Sequence, residues 1–293
     1  MNCRVSLSVV TIVRNESAYI AEWIAFHRLV GVDRFYIYDD KSTDDTVSVL
    51  RKLRNGGVDI VIIPWGFGRL EYASKEPCTF QNTPQITAYN HFVATFAKET
   101  DWAAFIDVDE FLYNTEHANI ADAMNRLSGV QALFVSWLVF GSNGHKTKPQ
   151  CLTVEAYTRR GNVGEPLQRG WGNHGKIVAN PQTITDWGPF GSHNARLRGS
   201  FRAVDELGRV VSGAGNNIPS AQKWRLAHYY HRSHEEAAAK VRRDDRNAAV
   251  TFQPDAARLA AHDLNDVEDN TLAVYADAIR AELARIGESH DRA

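Results

Sequence analysis

Cysteine is scarce in this 293-residue chain, which has only Cys3, Cys78 and Cys151. The number is odd and no two have zinc-ligand spacing, so neither a disulfide framework nor a cysteine zinc site can be read. A reducing compartment, the cytoplasm, is the expected location. Long apolar runs are lacking as well. Met1 to Val13 is short and interrupted by Ser6, Ser8 and Thr11, and no run of 18 apolar residues follows, so no transmembrane segment is expected. Charge of one sign is also missing: 33 Lys+Arg against 35 Asp+Glu leaves −2. That balance gives no electrostatic reason for nucleic acid or anionic membrane as a partner. Finally, no Gly-x-Gly-x-x-Gly follows the first apolar strand. Gly66-Phe67-Gly68 lacks the third glycine and the right place, which disfavours a dinucleotide oxidoreductase.

What is present is ordinary globular material, 44% hydrophobic, enough for the core of one large α/β domain. Val5 to Val13 reads as a buried strand and Tyr19 to Val30 as a helix closed by Gly31. Arg34 to Tyr38 and Val58 to Ile63 read as strands, with a helix between them from Thr46 to Leu53. Pro84 to Lys98 has helical spacing, Trp102 to Ile106 and Val130 to Phe140 are apolar strands, and His234 to Asn247 and Leu272 to Ile286 are helices. Alternating strands and helices predict a mostly parallel sheet flanked by helices, with C-terminal helices appended. The expected organisation is residues 1–145 as one half of a domain, 146–232 as the other half of the same domain, and 233–293 as a C-terminal helical extension.

The polar clusters follow strands one, two and four: Arg14-Asn15-Glu16, Asp39-Asp40 through Asp45, and Asp107-Val108-Asp109. In open α/β sheets ligands bind outside the carboxyl ends of the strands, so the three clusters point to one edge. In extended chain Asp107 and Asp109 would face the same way and reach one hard divalent cation, which takes carboxylate and phosphate oxygens. Asp44 and Asp45 are read as caps of the following helix. Lys240, Arg242, Arg243 and Arg246 read as a solvated helix face. Lys176 could place a cation on a diphosphate or stand in solvent. Trp171, Trp187 and Trp224 could stack on a sugar, with core packing expected for at least two.

The motifs Thr11-Ile12-Val13-Arg14-Asn15-Glu16, Tyr38-Asp39-Asp40-Lys41-Ser42-Thr43-Asp44-Asp45 and Phe105-Ile106-Asp107-Val108-Asp109-Glu110-Phe111 match in order and spacing those of a known group. At these residues the chain resembles the family 2-like glycosyltransferases and their relative, family 92, over roughly residues 5 to 235. Weaker echoes are Gln85 with Tyr89-Asn90, Lys176-Ile177 with Pro181, and His228 to Ser233. The resemblance implies a GT-A type, Rossmann-like fold and a metal-dependent transfer of sugar from a nucleotide diphosphate, UDP-sugar foremost, to a carbohydrate-type acceptor. It also implies that Arg14, Asn15, Glu16, Asp39 and Asp40 meet the nucleotide, with Asp107 near the ribose and Asp109 on Mn²⁺ or Mg²⁺. A third ligand would come from the histidines of the polar half, His193 first, with His228 and His231 beside it.

Inverting transfer needs a carboxylate base for the acceptor hydroxyl. Asp186 is the first candidate, ahead of Glu155 and Glu165. Two other classes fit parts of the pattern. A haloacid-dehalogenase-like phosphotransferase also uses Asp-x-Asp, but at the first strand, whereas about 100 residues precede the motif here and Phe111 holds the usual Thr or Val position. A non-catalytic nucleotide- or glycan-binding protein would not need Asp107 and Asp109 intact.

Overall fold

The computed structural model describes residues 4–66, 83–164, 173–188, 190–244 and 256–291. The chain opens with β1 (Leu7–Val13), whose β-branched residues are buried almost throughout. Next come α1 (Ile20–Leu29), β2 (Arg34–Asp39), α2 (Thr46–Asn55) and β3 (Ile60–Pro64). The turn out of α1 needs Gly31, at φ 102°, where any side chain would also collide with Asn119. α3 (Pro84–Phe96) starts with proline in its first turn and Thr83 capping the Ile86 N–H. β4 (Trp102–Phe105), β5 (Glu110–Asn114), α4 (Ile120–Met124), β6 (Ala132–Val139), α5 (Thr153–Ala156) and β7 (Arg159–Arg160) complete the first half and the crossover. The second half is strand-rich: β8 (Gly175–Ala179), β9 (Ile184–Gly188), β10 (Gly191–Leu197), β11 (Ala203–Val204), β12 (Val210–Val211) and β13 (Trp224–His228). α6 (His234–Asp244), α7 (Ala256–Ala261), β14 (Val267–Glu268) and α8 (Ala276–Asp291) close the chain.

The main sheet runs β12-β11-β6-β8-β4-β1-β2-β3, with β13 joining β5 to β6. β3, β2, β1 and β4 are mutually parallel, so their carboxyl ends share one edge. β8 lies antiparallel between β4 and β6. Both faces are covered. One core cluster joins the sheet to α1, α2 and α8 through Trp23, Phe26, Leu50 and Ile279. The other packs Tyr89 and Phe92 of α3, with Trp187, over Tyr36, Tyr38 and Phe105. This is the Rossmann-like α/β arrangement expected from the sequence.

Two local expectations change. Asp107 to Asp109 is not extended strand: β4 ends at Phe105 and a turn follows, closed by the Glu110 N–H on the Asp107 carbonyl at 3.0 Å. The last helix begins at Ala276 after a 3₁₀ turn (Ala273–Tyr275) and continues past Gly287 to Asp291. α8 packs on α1 and α2, with Glu282 paired to Arg28 at 2.8 Å and Ile286 seated against Gly56.

Candidate active site

The parallel strands deliver β1 and β4 to a cleft of about 280 Å³ lined by Ile12, Val13, Arg14, Glu16, Gln85, Asp107, Val108 and Asp109. Its rim is tied together by the turn after β1. Asn15 adopts φ 58°, a left-handed conformation that asparagine tolerates. Its Oδ1 accepts the Thr43 N–H at 2.7 Å, and its own N–H donates to Ser42 Oγ at 3.0 Å. The Glu16 N–H donates to Thr46 Oγ1 at 2.8 Å. The two polar loops are therefore one bonded unit, with the Asn15 N–H and Oδ1 taken up inside it. Asp44 belongs to the same unit. Burial opposes its charge, but hydrogen bonds from Thr46 and Ser17 hold its carboxyl down to about 2. It bonds the Thr46 N–H as a cap would, whereas Asp45 makes no such bond. Asp39 accepts the Ser42 N–H at 3.3 Å, and Asp40 lies 3.9 Å from Arg14.

The two motif carboxylates have separate partners. Asp107 Oδ2 pairs with Lys176 Nζ at 2.8 Å and Oδ1 accepts from Gln85 Nε2 at 2.6 Å. The register of β8 explains the lysine: Val178 sits opposite Ala104, so Lys176, two residues earlier on an antiparallel strand, stands past the end of β4. Lys176 is 1% exposed, so the solvated alternative does not hold. Burial alone would lower its pKa, but Asp107 and Glu110 raise it and keep it charged. Asp109 Oδ2 pairs with Lys240 Nζ at 2.8 Å, and its Oδ1 is 3.4 Å from His228 Nε2. Burial pushes its carboxyl upward, yet Lys240 and His228 hold it well below the usual range. Beneath both lies Glu110, fully buried, which accepts from the Asp107 N–H at 2.7 Å and Trp137 Nε1 at 2.6 Å. Burial drives its carboxyl well above the usual range against the pull of Lys176.

β13 supplies the third side. His228 lies opposite Glu110 in the ladder with β5, and the Tyr229 N–H bonds the Asp109 carbonyl at 2.8 Å. His228 is 4% exposed and its Nδ1 has no partner. The imidazole that meets Asp109 is thus that of His228. His193 bonds the Gly175 carbonyl through Nδ1 at 3.0 Å and packs on Trp137 and His174. Burial and then Lys176 push its pKa well down. Among the described residues, Asp107 and Asp109 form no three-membered cluster with ligand atoms within 4.8 Å, either with His193 or with His228.

Two residues of the site escaped the sequence reading. Lys240, assigned there to a solvated helix face, folds inward because α6 starts six residues after His228 and turns back over Asp109, where Lys240 also donates to the Tyr230 carbonyl at 2.6 Å. Arg232, at φ 55° and 5% exposed, stacks its guanidinium 3.5 Å over the Tyr19 ring, with Nε unpartnered. Burial would lower its pKa, but Glu16 and Asp109 raise it. The base candidates stand away from the cleft lining. Asp186 is half-exposed on β9, 3.9 Å from Arg196. Glu155 is engaged by Arg280 and the Leu152 N–H. Glu165 and Trp171 lie outside the described residues. Trp187 and Trp224 are core residues, at 1% and 5% exposure.

Comparison with known proteins adds the lineage. A glycosyltransferase family 92 protein of Ricinus communis is 28% identical over 203 residues, 68% of this chain and 33% of the relative. A family 92 protein of Arabidopsis thaliana is 24% identical over 222 residues, 74% of this chain and 36% of the relative. The chain spans about a third of the length of these curated relatives. Among solved structures, glucosyl-3-phosphoglycerate synthase from Mycobacterium tuberculosis, with Mn²⁺, UDP and glucosyl-3-phosphoglycerate, gives TM-score 0.33 and 20% identity, covering 61% of this chain and 58% of that one. S. aureus TarS 1–349 with UDP gives TM-score 0.32 and 19% identity, covering 50% and 38%. These structural scores are too low to carry an argument. The family model described as glycosyltransferase family 92 matches residues 4–211. With that match over most of its length, the chain belongs to glycosyltransferase family 92.

Proposed function

We propose that this protein transfers a glycosyl group from a nucleoside-diphosphate sugar, UDP-sugar foremost, to an acceptor hydroxyl, aided by a divalent cation and with inversion. The observation that carries this is the meeting of Asp107 and Asp109 with Arg14 and Glu16 in one cleft at the carboxyl ends of parallel strands. The donor falls to residues 1–145 and the acceptor to 146–232.

The residues at Asp109 fit a cation of the Mn²⁺ or Mg²⁺ kind. A carboxylate held ionised faces an imidazole nitrogen at 3.4 Å, and the ammonium of Lys240 already places positive charge against the same carboxylate. Asp109 and His228 would hold the ion, with Asp107 alongside. An imidazole–carboxylate donor set suits Mn²⁺ better than Mg²⁺. When bound, such an ion neutralises charge on the departing diphosphate. The chain's own groups do the rest. Lys176, buried beneath Asp107, fixes that carboxylate and adds positive charge behind it, while the Arg14 guanidinium lines the cleft itself, suited to phosphate oxygens. Asp39, anchored by the Ser42 N–H, offers its second oxygen to a base N–H or a ribose hydroxyl.

The acceptor base is assigned to Asp186. The described carboxylates of residues 146–232 are Glu155, Asp186, Asp205 and Glu206. Glu155 is bonded to Arg280, Asp205 to Arg209 and Asn216, and Glu206 to three backbone N–H groups. Asp186 has no bond shorter than 3.9 Å, so it alone of these four can take a hydroxyl proton without losing a structural bond. Asp186→Asn is expected to keep nucleotide affinity and lose about 10²–10⁴-fold in turnover. A variant that keeps most of its turnover overturns the assignment.

The test of the whole reading is a melting-temperature screen of nucleoside diphosphates with and without Mn²⁺, followed by donor hydrolysis. Ligand linkage should raise the melting temperature with UDP alone and raise it further when Mn²⁺ is present. Binding without any donor hydrolysis or transfer would favour the non-catalytic alternative. No shift with any nucleotide would end the proposal.

A further inference from the structure

The three histidines of His228-x-x-His231-x-x-His234 serve different places. His228 turns to Asp109. His231 and His234 gather with Asp263, and one possible ligand atom from each lies within 4.8 Å of the others. We propose that His231, His234 and Asp263 form a second metal site, separate from the cleft, which binds one borderline transition ion, zinc by preference, and clamps the start of α6 to the 262–265 segment.

The surroundings pre-set each ligand. His231 is buried, and its Nδ1 lies 2.9 Å from the Arg232 carbonyl. A carbonyl can only accept, so Nδ1 carries the proton and Nε2 keeps a lone pair for the metal. Fixing the tautomer by a backbone carbonyl is the usual support of a ligating imidazole. Asp263 is oriented just as firmly. Its Oδ1 accepts the Ser142 N–H at 2.6 Å and Asn265 Nδ2 at 2.8 Å, and its Oδ2 accepts Ser142 Oγ at 3.1 Å. His234 opens α6, where its N–H bonds the His145 carbonyl at 3.0 Å, and its side chain is exposed. Exposure on that side leaves a coordination position for water. Two imidazoles, one carboxylate and a water make a four-coordinate set that zinc accepts, whereas Mg²⁺ and Ca²⁺ prefer all-oxygen shells. The clamp's consequence reaches the cleft, because Arg232 and Lys240, which face Asp109, flank His234 on the same stretch of chain.

The site is independent of the donor reading and is tested apart from it. Metal-stripped Asp109→Asn chain, which lacks the cleft carboxylate, is titrated with Co²⁺ followed by visible absorption, then with Zn²⁺. One equivalent of Co²⁺ should bind and be displaced by one of Zn²⁺. Adding His234→Ala, at an exposed position whose loss spares the fold, should weaken Co²⁺ binding at least about 10-fold, the smaller cost seen even for supporting residues around a metal. Circular dichroism confirms folding, and His228→Ala provides a second background if Asp109→Asn proves unstable. Failure to bind Co²⁺ in a folded background, or equal affinity with and without His234, overturns the proposal.

Discussion

Asp109 has Lys240 and His228 as its neighbours, and these partners differ from those of Asp107. The two carboxylates are therefore not interchangeable. Asp109→Asn should abolish Mn²⁺-dependent UDP binding in calorimetry while the fold survives, and unchanged affinity would show that the ion sits elsewhere. Asp39 is proposed to act without metal. Asp39→Ala should cost about 1–3 kcal/mol of nucleotide affinity in the presence of EDTA, the usual loss when a buried partner is left unpaired. Equal affinities in EDTA would remove Asp39 from the donor site. At this scale the sequence was informative where chemistry is local. Asp107, Asp109, Arg14 and Glu16 were found from their positions after strands, and the structure brings all four to one cleft. Lys240 is not, because its role depends on α6 folding back across a gap in sequence of 131 residues from Asp109, and Arg232 is not, because its ring partner Tyr19 lies at the other end of the domain's sequence. The only sequence hint was that the His228 to Ser233 segment leads directly into that helix.

Elements were legible by their apolar runs, and β1, α1, β2, α2 and α3 lie within a few residues of expectation. What periodicity could not reveal was the turn at Asp107 to Asp109, because the apolar run gives no sign of where pairing stops. Nor could it order β8 between β4 and β6, a choice made by long-range packing. That antiparallel insertion is what brings Lys176 to Asp107. α1 has its own burden. His27 is fully buried, with Nδ1 2.8 Å from the Trp23 carbonyl and Nε2 accepting the Leu112 N–H at 3.2 Å, so its imidazole must be neutral. Burial pushes its pKa down to about 3, against the hydrogen bond to Trp23. The folded pKa is depressed, so the unfolded chain binds the proton first. Stability should then fall as pH drops below the unfolded value of about 6.5, by up to ~1.4 kcal/mol per pH unit, until the folded histidine itself titrates. Urea titrations at pH 7, 6 and 5 measure this slope, and a His27→Gln variant, though less stable, should lose that component. An equal slope in both chains would place the effect elsewhere.

Across the whole molecule, the first and last parts of the chain are one body. Ile279 of α8 is fully buried and packs into the cluster that also holds Trp23, Phe26 and Leu50. Within the helical extension expected over 233–293, α8 thus adds to the core built by α1 and α2. Ile279→Ala should cost about 2–5 kcal/mol in urea unfolding, the range for a large aliphatic residue truncated in a core. A loss below 1 kcal/mol would mean that α8 docks only loosely. No helix among the described residues is long and apolar enough to cross a membrane.

Lys240 gives the resting protein a chemical handle. Its amine is held by Asp109 Oδ2 and the Tyr230 carbonyl and lies 4.6 Å from the Tyr230 ring. An ammonium so engaged reacts slowly with acylating reagents, because acylation needs the free amine. A diffusible cation on Asp109 competes with it for the charge of that carboxylate and loosens its hold. Occupancy of the cleft can then be read by amine labelling and peptide mass mapping. Modification at Lys240 should accelerate when Mn²⁺ and UDP are added, while labelling at Lys176, deep beneath Asp107, stays low in both states.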